Sequence, residues 1–453
     1  MMQLMSCSSI AEDEKITYFG GKIKNPKGSY VYFSQGKKKL DSARLDSNNK
    51  FFFKIDSLEL GLYTFNHGAE FQYLYLEPQD SLLLYLNTWD FDESLIFSGK
   101  GSAKNNYLIN LYLQQERTEN NFKPNYKLNE EEFSKLIENG IKGQLENYNE
   151  FLETQEEAPS PFFDKLAKTG IYYPYYYFKE HYVYGHKRAL GLKDSLVVSD
   201  EFYNYRENIN LDDSSLFNYG PIMAFINTYL YNLADDEKRK DPENRIFELE
   251  YLKVVNDNIQ DENYKNSLLA KGVWGSLTNK YLSDEEAKKI QEFFFDHCTD
   301  DQYKSEVNIS IAQKERVKSG EVMPKLTAYN VQNSEVEINS LMKNTSTVIY
   351  FWPNDLGSIE LLNEKLHYLE EKHPDILFIG IERNKSEKDW KKFVQHKKLT
   401  ESRQFRLAKD AENYSWFEGD MPRTIIINSK GTVENGYVFF MDSNLNYYLK
   451  NIN

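Results

Sequence analysis

Cysteine is almost absent from this chain: 453 residues carry two, Cys7 and Cys298. They cannot form a CxxC redox pair or a cysteine-based zinc site. The seven histidines are scattered without an HxxxH or HExxH pair, so neither a metal site nor a cofactor is expected. Long apolar runs are missing too. The longest, 221–233, is interrupted by Asn227, Thr228 and Asn232 and is too short and too polar to span a bilayer. Positive charge is outnumbered, 55 Lys and Arg against 70 Asp and Glu, and a net charge of −15 repels phosphate backbones. A nucleic-acid partner is therefore not expected. Tryptophan is scarce at 5, whereas tyrosine reaches 34. Tyrosine packs one face and keeps a wet hydroxyl, which suits strand faces and helix rims. Hydrophobic residues at 40% suffice for several cores, and the length suggests two to four domains.

Three regions follow one another. Ile16-Thr17-Tyr18-Phe19, Tyr30-Val31-Tyr32-Phe33, Phe51-Phe52-Phe53 and the stretch 71–76 are short and aromatic-rich, with turn signals such as Asn25-Pro26-Lys27-Gly28 and Pro78-Gln79-Asp80 between them. That spacing predicts an antiparallel sandwich or barrel. After Gly99-Lys100-Gly101-Ser102 the periodicity turns helical, to about residue 319. Ser283-Asp284-Glu285-Glu286 reads as a capping box before a helix over 287–297. The stretch 131–152 is a second amphipathic helix, and Pro159-Ser160-Pro161 breaks the helical region in two. From residue 321 apolar strands alternate with helices, which predicts an α/β layer structure. The strands are Thr347-Val348-Ile349-Tyr350-Phe351-Trp352, the stretch 376–381 and Thr424-Ile425-Ile426-Ile427; the helices cover 358–372 and 387–396. No fixed-period repeat is present. The expected organisation is multidomain α+β: a tether over 1–12, a β-sandwich-like domain over 13–103, a helical domain over 104–320, and an α/β domain over 321–453.

Several motifs then converge. Met323-Pro324-Lys325-Leu326, Phe351-Trp352-Pro353-Asn354-Asp355, Met421-Pro422-Arg423-Thr424-Ile425-Ile426-Ile427-Asn428 and the turn Ser429-Lys430-Gly431 stand in that order. In order and spacing they resemble the TlpA/ResA-like thioredoxin family: its entry segment, the aromatic strand end before its CxxC, and its cis-proline segment with the strand that follows. The resemblance implies a thioredoxin-like α/β domain over the last 130 or so residues. It places Leu356-Gly357-Ser358-Ile359 on the CxxC, so both active-site cysteines are lost. Redox exchange needs a thiolate at the helix start and a resolving thiol, and no catalytic residue is assigned. Ser358 reads as a helix-start residue; no histidine near it in sequence could activate it as a nucleophile. Residues 16–110 resemble the small β-domain that precedes TlpA-like domains in many Gram-negative envelope proteins. Asp41-Ser42-Ala43-Arg44-Leu45-Asp46, Gly61-Leu62-Tyr63, Leu76-Glu77-Pro78-Gln79-Asp80, and Phe97-Ser98-Gly99 followed by Asn105 carry that resemblance.

Leu4-Met5-Ser6-Cys7 resembles a bacterial lipobox, in which the cysteine receives lipid. The basic and apolar regions of a full signal peptide are not in the six residues before Cys7, so a trimmed or late start and a chance match both stand as readings. Pro422 is a cis-proline by resemblance, or an ordinary strand-edge proline. Family relatives hold an extended substrate chain along that edge, so Trp352, Leu356, Gly357, Ser358, Ile359, Met421 and Pro422 are the candidate binding residues of a degenerate groove; the alternative is that they seal a dead site. The cluster Pro174-Tyr175-Tyr176-Tyr177-Phe178 to Tyr184 is core, or a stacking surface for a sugar. The expected function is a redox-inactive, thioredoxin-like envelope lipoprotein, facing the periplasm or on the outer membrane, that meets the membrane through a lipid on Cys7 only and binds a protein or peptide. An oxidoreductase-family enzyme with atypical chemistry through Cys298 or partner thiols, and a carbohydrate- or ligand-binding accessory protein, are the alternatives.

Overall fold

In β4 (Lys50–Asp56) the aromatic triplet splits by parity: Phe51 and Phe53 are buried, while Phe52 between them is 57% exposed. Successive strand side chains point to opposite faces, so this alternation sets which face meets the core. The same logic runs through β1 (Ile16–Lys24), β2 (Tyr30–Gln35), β3 (Lys38–Arg44), β5 (Gly61–His67), β6 (Glu70–Leu76), β7 (Ser81–Asn87) and β8 (Ile96–Lys100). They form two four-stranded sheets, ordered β4-β1-β7-β8 and β3-β2-β5-β6. Phe19, Phe33, Phe53, Phe65, Leu74 and Leu84 from both sheets share one core cluster. The expected sandwich-like arrangement is present with one departure: β1 and β7 run parallel. A parallel pair needs a long crossover, and the chain between them builds the second sheet and returns once to the first as β4. The computed structural model describes residues 16–452 apart from 37, 69, 194–195, 212, 280, 354–355, 384–385, 397–398, 408–422 and 443.

Helix α1 (Ser102–Phe122) begins where the strands end and ties to both sheets. Asn105 accepts from the Tyr75 amide at 2.9 Å and donates to its carbonyl at 2.8 Å. Asn106 makes the same pair of bonds to Phe97, both at 2.9 Å. Helix α2 (Glu130–Glu153) opens on a capping box between Asn129 and Glu132. Helix α3 (Pro161–Leu190) starts at the predicted break, with Ser160 as cap and Pro161 in its first turn. Inside these helices Glu180 is fully buried and held by Arg206 (2.8 and 2.6 Å), the Tyr205 hydroxyl (2.5 Å) and the Asn232 amide (2.7 Å).

The chain falls into two compact units, 1–233 and 234–453, and the division lies within α4 (Gly220–Lys240). The helical stretch 104–320 therefore contributes to both. The second unit continues with α5 (Phe247–Asn258), α6 (Glu262–Thr278), α7 (Asp284–His297) and α8 (Asp301–Arg316). The predicted Ser283–Glu286 capping box is in place at α7.

A seven-stranded mixed sheet follows, built from β9 (Thr327–Tyr329), β10 (Glu335–Glu337), β11 (Thr347–Phe351), β12 (Leu377–Glu382), β13 (Gln404–Arg406), β14 (Arg423–Ile427) and β15 (Val433–Phe439). Its order is β10-β9-β13-β12-β11-β14-β15. β11, β12 and β13 are parallel; β14 and β15 are antiparallel neighbours. All five residues of β11 are buried, as expected for a strand covered on both faces. Val348 and Tyr350 pack with α9 (Leu356–Lys372), α10 (Glu387–His396) and α11 (Leu445–Lys450). Ile349 and Phe351 pack on the other face with Val317, Met323, Leu326 and Ile338. The mixed α/β class of this region is thus as predicted.

Candidate functional site

The site indicated by sequence lies where β11 runs into α9. Strand β11 ends at Phe351, and the Trp352 amide still donates to the Ile381 carbonyl at 3.0 Å. Helix α9 opens with Leu356-Gly357-Ser358-Ile359. Strand end followed by helix start is the geometry that, in a redox thioredoxin-like domain, would set a thiolate in the helix dipole. Here no sulfur occupies the first turn.

Trp352 is fully buried. Its indole N–H donates to Gln404 Oε1 at 3.0 Å, and the Gln404 amide donates to the Tyr350 hydroxyl at 3.0 Å. The two rings meet edge-on at 5.4 Å, and Phe393 of α10 closes the other side of the indole at 5.1 Å. Gly380 on β12 lies against this knot. A methyl there would collide with Gln404 Oε1 and stand 2.7 Å from the Tyr350 oxygen and 2.8 Å from Trp352 Nε1. Burial raises the Tyr350 phenol far above its ordinary value, so it stays protonated and available as a donor or acceptor. Ile359 is likewise fully buried and shares the core of α9 with Leu362 and Leu366. Trp352 and Ile359 therefore form the floor under the start of α9. Leu356, Gly357 and Ser358 are described as backbone of its first turn. Met421 and Pro422 lie outside the described residues, and with them the expected cis bond; among the described residues no peptide bond is cis. Cys7 also lies outside.

Arg423, the first described residue after that segment, is 2% exposed. Its guanidinium donates to the Gly436 carbonyl at 2.9 and 2.7 Å and to the Gln313 carbonyl at 2.9 Å, which ties β14 to β15 and α8. Burial, opposed by Tyr437 and reinforced by Arg383, pulls its pKa down to about 10.

The remaining candidates separate in space. Cys298 caps the end of α7, is 2% exposed, and directs its thiol towards the Asp300 carbonyl at 3.6 Å. Burial raises its pKa, which lowers the thiolate fraction available for exchange. Tyr175, Phe178 and Tyr182 belong to a buried cluster with Phe122, Phe133 and Phe202, while Tyr184 is exposed. Outside the candidates, Glu132 belongs to a capping box and Asp235 pairs with Arg239, so these carboxylates serve their own helices. No group of three metal-ligating side chains is found among the described residues. No described helix is long and apolar enough to cross a membrane. Sequence reasoning missed Gln404 and Gly380. Neither has a local signature; the glycine inside an apolar strand was the one available hint of a close approach.

No family profile and no curated protein matches the sequence. Part of the chain does resemble solved structures. The thioredoxin domain of a thiol-disulfide oxidoreductase from Bacteroides vulgatus aligns with 30% of this chain and 99% of its own, at 20% identity and a TM-score of 0.27. A thiol:disulfide interchange protein from a Bacteroides species aligns with 26% of this chain and 81% of its own, at 20% identity and a TM-score of 0.23. A secreted disulfide oxidoreductase of Mycobacterium tuberculosis aligns with 28% of this chain and 95% of its own, at 16% identity and a TM-score of 0.24.

Proposed function

We propose that this chain is a redox-inactive, thioredoxin-like protein of the bacterial cell envelope that binds a protein or peptide partner beside the start of α9. The observation that carries the reading is the first turn of α9, Leu356-Gly357-Ser358-Ile359, which follows a buried strand end yet holds no thiol. The buried Cys298, with its raised pKa, is a poor substitute nucleophile. In this reading Leu356, Gly357, Ser358, Met421 and Pro422 border the groove, and the buried Trp352 and Ile359 support it from the core beneath. A lipid on Cys7 holds the protein to the membrane, facing the periplasm.

Insulin reduction with dithiothreitol as donor tests the redox half. Wild type is expected to add nothing to the dithiothreitol rate. Leu356→Cys with Ile359→Cys is expected to create an active pair, because the two positions lie one helical turn apart. Wild-type turnover that survives Cys298→Ser would overturn the reading. A photo-crosslinking residue at position 358 tests the binding half in cells. It should yield a discrete adduct that the same residue at exposed Tyr281 does not; identical adducts from both would remove the partner.

A further inference from the structure

The outer face of the sheet β4-β1-β7-β8 has a composition at odds with the rest of the chain. Its strand register places residues in rows. Phe52, Gly20, Leu83 and Ser98 lie side by side across the four strands. Two residues to one side, the row reads Lys50, Lys22, Tyr85 and Ile96. Two residues to the other, it reads Lys54, Tyr18, Ser81 and Lys100. Phe52 is 57%, Leu83 48%, Tyr85 42% and Ile96 59% exposed. Gly20 has no side chain, and the Phe52 ring takes up the space at the centre, where a Cβ would stand 3.0 Å from it, and stacks on Tyr18 at 5.5 Å. Lys24 continues the face beyond Lys22. Along the strands the two lysine-bearing rows stand about 13 Å apart, with the apolar row between them.

Five lysines thus share one face of a protein whose net charge is −15. Asp56 ends β4 on the same face. Asp41 and Asp46 stand opposite, on the β3 side of an open groove of ≈ 880 Å³ that runs against this face. A second copy is a poor occupant, because a twofold contact would set lysine against lysine. An extended peptide would gain no backbone pairing from the broad side of a sheet. Apolar side chains between rows of long-stemmed ammonium groups, with tyrosine hydroxyls among them, match the layered chemistry of a lipid headgroup region.

We propose that this face docks on an anionic lipid surface, with Phe52, Leu83, Tyr85 and Ile96 at the acyl boundary and the lysines on lipid phosphates. The contact is independent of lipid on Cys7, so the test uses the full chain carrying Cys7→Ser. Its result does not depend on the redox or partner reading. Co-sedimentation is measured with phosphatidylcholine vesicles, with and without phosphatidylglycerol, at low and high salt. The protein is expected to sediment with the anionic vesicles alone and to be released by salt. Lys22→Gln, Lys50→Gln and Lys54→Gln should each lower partitioning roughly fivefold. Phe52→Ser with Ile96→Ser should lower it while leaving thermal unfolding unchanged, since both side chains are exposed. Equal binding to neutral and anionic vesicles, or none to either, would overturn the proposal. So would lysine-dependent binding to poly-glutamate as strong as to vesicles and indifferent to Phe52→Ser with Ile96→Ser, which would assign the face to an acidic polymer.

Discussion

Gly380→Ala adds one methyl where the structure has no room for it. The new carbon would collide with Gln404 Oε1 and sit 2.7 Å from the Tyr350 oxygen and 2.8 Å from Trp352 Nε1, well inside van der Waals contact. β12 cannot retreat, because it is hydrogen-bonded to β11 on one side and β13 on the other. Gln404 must therefore move, and both of its side-chain bonds break. An indole N–H and a phenol left unpaired in a buried site cost about 1–3 kcal/mol each. Residual overpacking adds about 1–3 kcal/mol. The expected loss is about 3–9 kcal/mol, a large share of the roughly 5–15 kcal/mol that holds a typical domain. Denaturant unfolding of wild type, Gly380→Ala, Gln404→Ala and the double variant measures it. In the double variant the two Gln404 bonds are lost once instead of twice, so its cost should fall short of the sum of the singles by about 2–6 kcal/mol. A loss below about 1 kcal/mol for Gly380→Ala, with the Trp352 indole N–H resonance unmoved, would refute the reasoning.

Three other outcomes follow from the same structure. Arg206→Met should cost about 3–5 kcal/mol because it strands the buried Glu180 carboxylate, and Glu180→Leu in the same chain should recover most of that in denaturant unfolding. Asp80, held at about 6 by burial, is more basic in the fold than in the unfolded chain, so the native state binds the extra proton between about pH 4 and 6 and stability falls as pH rises through that window. Thermal unfolding of wild type against Asp80→Asn should show parity below pH 4 and a wild-type deficit of about 1–2 kcal/mol above pH 6, allowing for screening by Lys100 and Lys104. In a Cys7→Ser chain, Cys298 should resist an aromatic disulfide reagent under native conditions and titrate fully in guanidinium; rapid native labelling would contradict its burial.

Elements whose signal is local were readable from sequence. α10 (Glu387–His396) has the predicted bounds, and the Ser283 cap, the Ser160 start and the strands β11, β12 and β14 follow from adjacent residues. β3 gave no alternation to read because nearly all its residues are exposed. The parallel pairing of β1 with β7 is fixed by a crossover of more than fifty residues, which no window of sequence reveals. The site was half legible. The resemblance pointed to the strand end and helix start, where the structure places Trp352 and Leu356. What holds Trp352, however, is an amide on β13 and a missing side chain on β12, both brought in by tertiary packing. The Glu180–Arg206 pair is hidden for the same reason: its two members are 26 residues apart on different helices.

The neighbouring amides Asn105 and Asn106 have a consequence for where this molecule can be cut. Tyr75 lies on β6 and Phe97 on β8, and each strand is the last in its sheet. Each asparagine side chain offers one acceptor and one donor, as a residue of an added strand would, so α1 stands in for a ninth strand at two edges at once. A fragment ended at residue 103, where composition changes, would keep every strand yet leave both edges to seek pairing in another copy. Ended at Phe122, it would carry its own closure. Size-exclusion chromatography of the two fragments should show the shorter one associating and the longer one monomeric. The helix that looks like the start of the next domain is, in hydrogen-bonding terms, the last piece of the first.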